Sequence, residues 1–306
     1  MRFIHRVGLL LIASSATLYA SACDVCGSAA SSSGLGLLPQ FSKHFAGIQY
    51  NYASSESNHP SLFKENEMEH SAQTYRMVQV WGKYQIAKNI QVFGFLPYIS
   101  NTNAETAQTT ASKGFGDATL MANLSIPLIE KSKTNRLLLA GAGIKFPTGS
   151  YTGLANAERN GIPNIQTGSG SWDFLANANY TQKGKTWGYN LDLSYIITTA
   201  NKEQYKFGNR LNTAAMAFCW LENKNLKIVP QAGGRFEYSL HDYDHYGKKW
   251  LNEKTGGTMG FASLGSQFYY KKVGIKAMIH IPVYQNFAAG YVHSNARFES
   301  GISLLF

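Results

Sequence analysis

Cys23 and Cys26 stand two residues apart in the run Cys23-Asp24-Val25-Cys26-Gly27. That spacing lets two sulfurs meet one soft ion, and thiolates favour Cu(I) or Zn(II). One such pair is half of a zinc site, so a disulfide formed after export and lipid attachment at Cys23 stand beside metal binding as readings. A second set of ligand types lies in His241-Asp242-Tyr243-Asp244-His245. A four-residue spacing of histidines faces one way only on a helix, and a flexible loop with ordinary surface histidines is expected there. Cys219 is expected to be a small buried or lipid-facing residue. Phosphate-cradling glycine loops, dinucleotide fingerprints and complete metal-ligand sets are absent from the sequence. His280 is the one histidine expected in mid-strand, with no serine and acid aligned around it. No catalytic residue is therefore assigned, the chain is not expected to be an enzyme, and no cofactor is expected beyond a metal at Cys23 and Cys26.

Most of the remaining polar chemistry sits at alternate positions inside apolar segments. Lys83, Asp117, Asn123, Lys145, Asp173 and Asp192 form the first part of this set, and Lys227, Arg235, Glu237, Lys276, His280, Arg297 and Glu299 the second. Strand side chains point alternately to opposite faces, so turning the apolar parity outward turns all thirteen into a shared interior. Buried charges persist only when paired or hydrated. Two readings follow, a salt-bridge network filling a narrow interior or a polar conduit.

The elements that would position them are strands. Ala118, Leu120, Ala122, Leu124 and Ile126 alternate with Asp117, Thr119, Met121, Asn123 and Ser125; the same pattern runs from Trp187 to Tyr195 and from Val273 to Ile281. About twelve such segments fit between Phe45 and Phe306. Their connections alternate in length: short at Ala87–Asn89, Glu130–Asn135, Gln182–Lys185, Glu222–Asn225 and Tyr270–Lys272, long at Ser54–Gln73, Asn101–Lys113, Thr148–Gly168, Thr198–Asn209 and Leu240–Gly257. Short periplasmic turns with long outer loops mark outer-membrane barrels. The fold class expected is all-β, a closed antiparallel transmembrane barrel of about twelve strands. Tyr84, Tyr180, Trp187, Tyr189, Phe268, Tyr270 and Phe306 gather near the short turns, where rings with a polar edge suit the headgroup level. Pro97, Pro230 and Pro282 interrupt strand patterns and are expected at bulges or strand ends.

Arg2 and Arg6, the apolar run Val7–Ala13 and the small residues Ala20-Ser21-Ala22 read as a signal peptide over residues 1–22. Residues 23–44 are expected to be a periplasmic tail or small plug, and 45–306 the barrel. Mean hydropathy is −0.22, which excludes spanning helices but not barrel strands, whose lipid-facing residues are averaged with lumen-facing ones. The net charge of +10 could serve nucleic acid, but export argues against that partner. Lysine occurs in every short turn and accounts for much of the charge.

Gly114–Leu120 (GFGDATL), Lys145–Gly149 (KFPTG) and Gly168–Phe174 (GSGSWDF), in that order, resemble the outer-membrane family named for the meta-pathway of phenol degradation. The likeness is best over residues 90–200. It implies a barrel that passes small, often aromatic or apolar, molecules, with Asp117, Lys145 and Asp173 as the charged residues of the motifs. The expected function is passive or substrate-gated transport of a small solute across the bacterial outer membrane. A copper- or zinc-related component using the cysteine pair and a structural or adhesive barrel with a sealed lumen are the alternatives. The expected partners are outer-membrane lipid, the solute, and the barrel-assembly machinery through the terminal Phe306.

Overall fold

The computed structural model describes residues 44–60, 68–105, 109–128, 135–151, 163–245, 248–252 and 255–306. The expected signal peptide, the tail or plug as far as residue 43, and both Cys23 and Cys26 lie outside the described residues.

Twelve antiparallel strands among the described residues close on themselves. β1 is Phe45–Pro60, β2 Met68–Ala87 and β3 Ile90–Glu105. β4 is broken into Thr109–Phe115 and Thr119–Leu128. β5 (Asn135–Lys145), β6 (Asp173–Lys183), β7 (Trp187–Ile197) and β8 (Arg210–Cys219) follow. The remainder are β9 (Leu226–Ser239), β10 (Gly257–Tyr270), β11 (Val273–Phe287) and β12, in two pieces, Val292–Ser294 and Arg297–Leu305. Each strand pairs with the next, and β12 returns to β1 through eight register pairs from Phe45↔Leu305 to Tyr52↔Phe298. Two backbone bonds between His44 and Phe306, 3.2 and 3.0 Å, finish the seam. The His44 ring stacks on those of Tyr84 and Phe306, with centroids 4.5 and 5.8 Å away.

Alternation explains why these segments become strands. Leu120, Leu264, Ile275 and Ile302 are each at least half exposed, while Met121, Ser263, Lys276 and Ser303 beside them are buried or nearly so. An exposed leucine on a closed ladder is a lipid contact, since it costs nothing in hydrocarbon and the backbone behind it is already paired. Tyr84, Trp187, Phe268, Tyr270 and Phe306 are exposed at the short-turn end, and Tyr180 packs on Tyr189 there with centroids 5.9 Å apart. A second aromatic level, absent from the sequence reading, lies toward the long loops: Tyr98 meets Phe115 at 5.5 Å and Phe146 meets Trp172 at 5.3 Å. The two levels bracket the apolar band.

Three expectations need correction. The loops expected at Ser54–Gln73 and Asn101–Lys113 are largely strand: β1, β2 and β3 run for 16, 20 and 16 residues. About 9–11 residues cross a bilayer, so this hairpin stack rises beyond it. Both faces of the extension are polar, with Ser54, Asn58, Thr74 and Thr102 outside and Ser57, Gln73 and Asn103 inside, so no apolar alternation marks it in the sequence. Second, His241–His245 is not a free loop. Tyr243–Asp244 pairs with Tyr205–Lys206 and Lys249–Trp250 in a small outer sheet. Fully buried Asp242 holds that sheet by accepting from Tyr205 Oη at 2.5 Å and Gly208 N at 2.6 Å.

Third, all three prolines sit inside strands, and two of them lie at neither a bulge nor a strand end. Pro97 faces the break in β4, between the pairs Phe95↔Thr119 and Tyr98↔Phe115, and its carbonyl accepts from Gly116 N at 2.8 Å. Pro230 faces the gap between the pairs Phe218↔Gln231 and Leu221↔Ile228. A residue with no N–H is tolerated where the neighbouring strand offers no acceptor. Pro282 adjoins a bulge at Val283, where the pairing slips between Gly260 and Phe261.

Leu264 is 60% exposed and lies six residues from the short turn that follows Tyr270. Leu264→Arg is expected to cost about 2–4 kcal/mol of folding stability in lipid. Reversible denaturant unfolding in vesicles checks it, with Leu264→Phe expected within experimental error of the parent.

Candidate functional site

The interior has three levels. Nearest the outer mouth, the three sequence motifs converge on one ion-paired knot. Lys145, at the end of β5, reaches Asp117 Oδ2 at 3.1 Å and Asp173 Oδ2 at 2.5 Å. Its ammonium also donates to Ser169 Oγ at 2.5 Å. Asp117 sits in the break of β4, where the unpaired backbone leaves its carboxylate free to turn toward the connection after β5. Its Oδ1 accepts from Gly149 N at 2.9 Å, and its Oδ2 from Ser169 N at 2.8 Å and Ser169 Oγ at 2.9 Å. Ser171 Oγ holds the other oxygen of Asp173 at 2.9 Å. Two carboxylates round one ammonium, with the leftover lone pairs taken by N–H and O–H donors, is how a buried ion cluster offsets its desolvation.

The knot fixes a loop that folds inward. A Cβ on Gly168 would lie 2.6 Å from Gly149 C and 2.7 Å from Asp117 Oδ1, so only glycine admits this approach. From there the short helical turn Pro163–Ile165 reaches across the lumen. Ile165 is buried with Ala53 and Tyr75 from β1 and β2 and with Met259 and Phe261 from β10. Its carbonyl accepts from Asn101 Nδ2 at 3.2 Å and from Ser112 Oγ.

The middle level is a charged wall on β9–β12. Arg297 makes two bonds to Glu237, 3.1 and 3.0 Å, and Arg235 Nε reaches the same carboxylate at 2.9 Å. Lys276 is paired with Glu299, which also accepts from Gln49 Nε2 at 2.9 Å. His280 lies with Nε2 3.5 Å from Glu299 and Nδ1 2.7 Å from Ser263 Oγ. A serine, a histidine and an acid therefore do meet, contrary to the sequence reading, because Ser263 and His280 are register partners on β10 and β11. The acid is committed to Lys276 and Gln49, so the trio belongs to the ion-paired wall.

Opposite that wall and below it, the lining is apolar. Phe45, Phe93, Met121, Leu139, Leu175 and Ile196 form a buried cluster with Trp81 and Phe95 beside it. The interior, expected from the sequence to be lined by polar residues, is thus amphipathic. β3 carries apolar residues on both faces, so outward apolar parity alone could not reveal Phe93 and Phe95. One cavity joins the levels, reached by Lys145, Asp117, Phe95, Leu175, Arg297 and Glu299.

The other candidate residues are placed as follows. Asp192 accepts from Asn179 Nδ2 at 2.7 Å. Asn123 is buried against Gly141 with neither end of its carboxamide hydrogen-bonded, as is Asn177 on the far side of that glycine. Lys83 is buried near the Phe45 ring. Lys227 pairs with Glu222 at 3.0 Å at the solvent-exposed rim, where such a pair adds little stability. Cys219 is exposed on the outer face. His241 Nδ1 lies 2.5 Å from Thr255 O and His245 packs on Tyr243. Among the described residues no three His, Cys, Asp or Glu side chains gather as a metal site. Ser169, Ile165, Gln49 and Ser263 were not legible as site residues, since two come from a loop and two owe their contacts to register.

Lys145→Met leaves two buried carboxylates facing each other, and a loss of about 3–5 kcal/mol is expected, read as a lowered denaturant midpoint in vesicles. Gly168→Ala is expected to release the inward loop without unfolding the barrel. Faster proteolysis near residue 165 with unchanged heat-modifiable mobility would record it.

The sequence family described as "Putative MetA-pathway of phenol degradation" matches residues 55–234. No curated protein matches the chain. Among solved structures, an outer membrane channel from Pseudomonas putida F1 aligns with TM-score 0.65 at 15% identity, covering 87% of this chain and 96% of that one. The transport unit of an autotransporter from Escherichia coli aligns with TM-score 0.50 at 10% identity, covering 92% and 96%. At these identities the likeness is one of fold, a closed barrel of the bacterial outer membrane. The family match spans more than half of the 306 residues and includes all three strand-break and loop motifs of the knot, and the chain belongs to that family.

Proposed function

We propose that this protein is an outer-membrane channel through which a small solute with an apolar or aromatic part diffuses, the inward loop acting as its gate. The observation that carries the reading is a cavity that runs from the knot to the charged wall while lined on its other side by Phe95, Met121 and Leu175. A sealed barrel would gain most from filling that space, and a water-filled porin would have no use for a ring and thioether face. Methionine and aromatic side chains adapt to flat apolar guests, while the Arg–Glu pairs opposite keep water and a polar head group in register. The channel from Pseudomonas putida F1 supports the reading by likeness of fold. No bond-making step is assigned to the Ser263, His280 and Glu299 contact.

Liposomes carrying the purified barrel are expected to swell in small neutral solutes such as phenyl glucoside, and Asp117→Asn, which loosens the loop, to raise the rate several-fold. Lack of uptake by both parent and variant, with the barrel folded, would instead favour a sealed structural or adhesive barrel.

A further inference from the structure

Lysines collect at one end of the barrel. Lys88, Lys185, Lys224, Lys271 and Lys272 occupy the short turns, and Lys83, Lys183 and Lys227 point inward just above them. The only carboxylate side chain at that end among the described residues is Glu222, bound to Lys227. Two of the turn lysines stand in left-handed backbone, Lys224 at φ 48° and Lys271 at φ 52°. Glycine or asparagine fits that region at less steric cost than a lysine.

The three inward lysines are seated on rings. Lys183 Nζ lies 3.6 Å from the Trp220 ring centre, Lys227 Nζ 5.8 Å from the same ring, and Lys83 Nζ 6.0 Å from that of Phe45. A ring face stabilises an ammonium without cancelling its charge. Higher in the lumen the wall holds Arg235, Lys276 and Arg297 against Glu237 and Glu299. The outer level is balanced, the knot's one lysine to two aspartates being offset by buried Arg210 on the same cavity. Asp192 is the further inward carboxylate between the knot and the turns. The inward charge therefore becomes more positive from the outer mouth toward the periplasmic end.

We propose that the lumen is anion-selective and that its solute joins a negative head to an apolar or aromatic body; the proposal rests on the channel reading above. Rings of Lys or Arg select anions in membrane pores, and a cleft lined by one sign of charge concentrates the opposite ion. Lysines resting on Phe45 and Trp220 supply both halves of a site for an aromatic anion.

The test uses the intact barrel in planar bilayers under a KCl gradient and in liposomes offered benzenesulfonate or phenyltrimethylammonium, two flat solutes of permanent and opposite charge. The expected results are a reversal potential of the chloride-preferring sign and several-fold faster entry of benzenesulfonate. Combined Lys83→Gln, Lys183→Gln and Lys227→Gln should bring the two rates together. Lys224→Gln with Lys271→Gln, which touches only the turns, should reduce the preference in part while leaving the interior intact. Equal entry of both solutes into parent liposomes, or faster entry of the cation, overturns anion selectivity and leaves a channel. No conductance and no entry of either solute, with heat-modifiable mobility proving the fold, overturns the channel reading together with the selectivity built on it.

Discussion

A peptide group facing hydrocarbon has no water to bond, and leaving one unpaired costs several kcal/mol. The rest of the molecule is arranged round that constraint. It demands a ladder without edges, which the β1–β12 seam supplies with its eight pairs and the His44–Phe306 bonds beyond them. It also explains where irregularities are permitted. The β4 break and the β8–β9 gap both expose acceptor-poor backbone, and a proline stands across from each, so the missing N–H falls where no partner is waiting. The broken strand in turn frees Asp117 to leave the wall pattern and bind the loop.

With the backbone satisfied, the interior has its own electrostatic problem. Thirteen polar or charged side chains of the inward set cannot all reach water, and the structure groups most of the charged ones so that each carboxylate touches a cation or an amide. The groups are spaced along one side and one end, which leaves the β2–β7 side to rings, leucines and methionines. An interior divided this way has a wet face and an oily face of its own, inside out relative to neither the membrane nor a soluble core.

Much of the fold was legible because lipid and lumen impose opposite demands on adjacent residues, and that contrast survives in a single sequence as period-two alternation. Leu120, Ile275 and Ile302 were readable outward for this reason, as were strand number and the alternation of turn lengths. The signal fades where the contrast does. In the upper parts of β1–β3 water bathes the outside and polar side chains fill the inside, so strand looked like loop. Phe93 and Phe95 escaped notice because β3 is apolar on both faces. The charged motif residues Asp117, Lys145 and Asp173 were placed inside by parity, yet their meeting depends on the register of β4, β5 and β6, and Ser169 reaches them from a loop whose path no periodicity encodes. The contact of Ser263 with His280 is of the same kind: both sides were assignable, their pairing was not.

The knot around Lys145 draws on the β4 break, the end of β5 and the start of β6, together with the returning loop. Because successive strand residues face opposite ways, slipping β5 by one position against either neighbour would swing the Lys145 ammonium into lipid and leave Asp117 and Asp173 without it. The loop can therefore dock only on correctly zipped strands. A shift of a single residue in the wall would thus deprive the inward loop of its anchor and open the outer mouth.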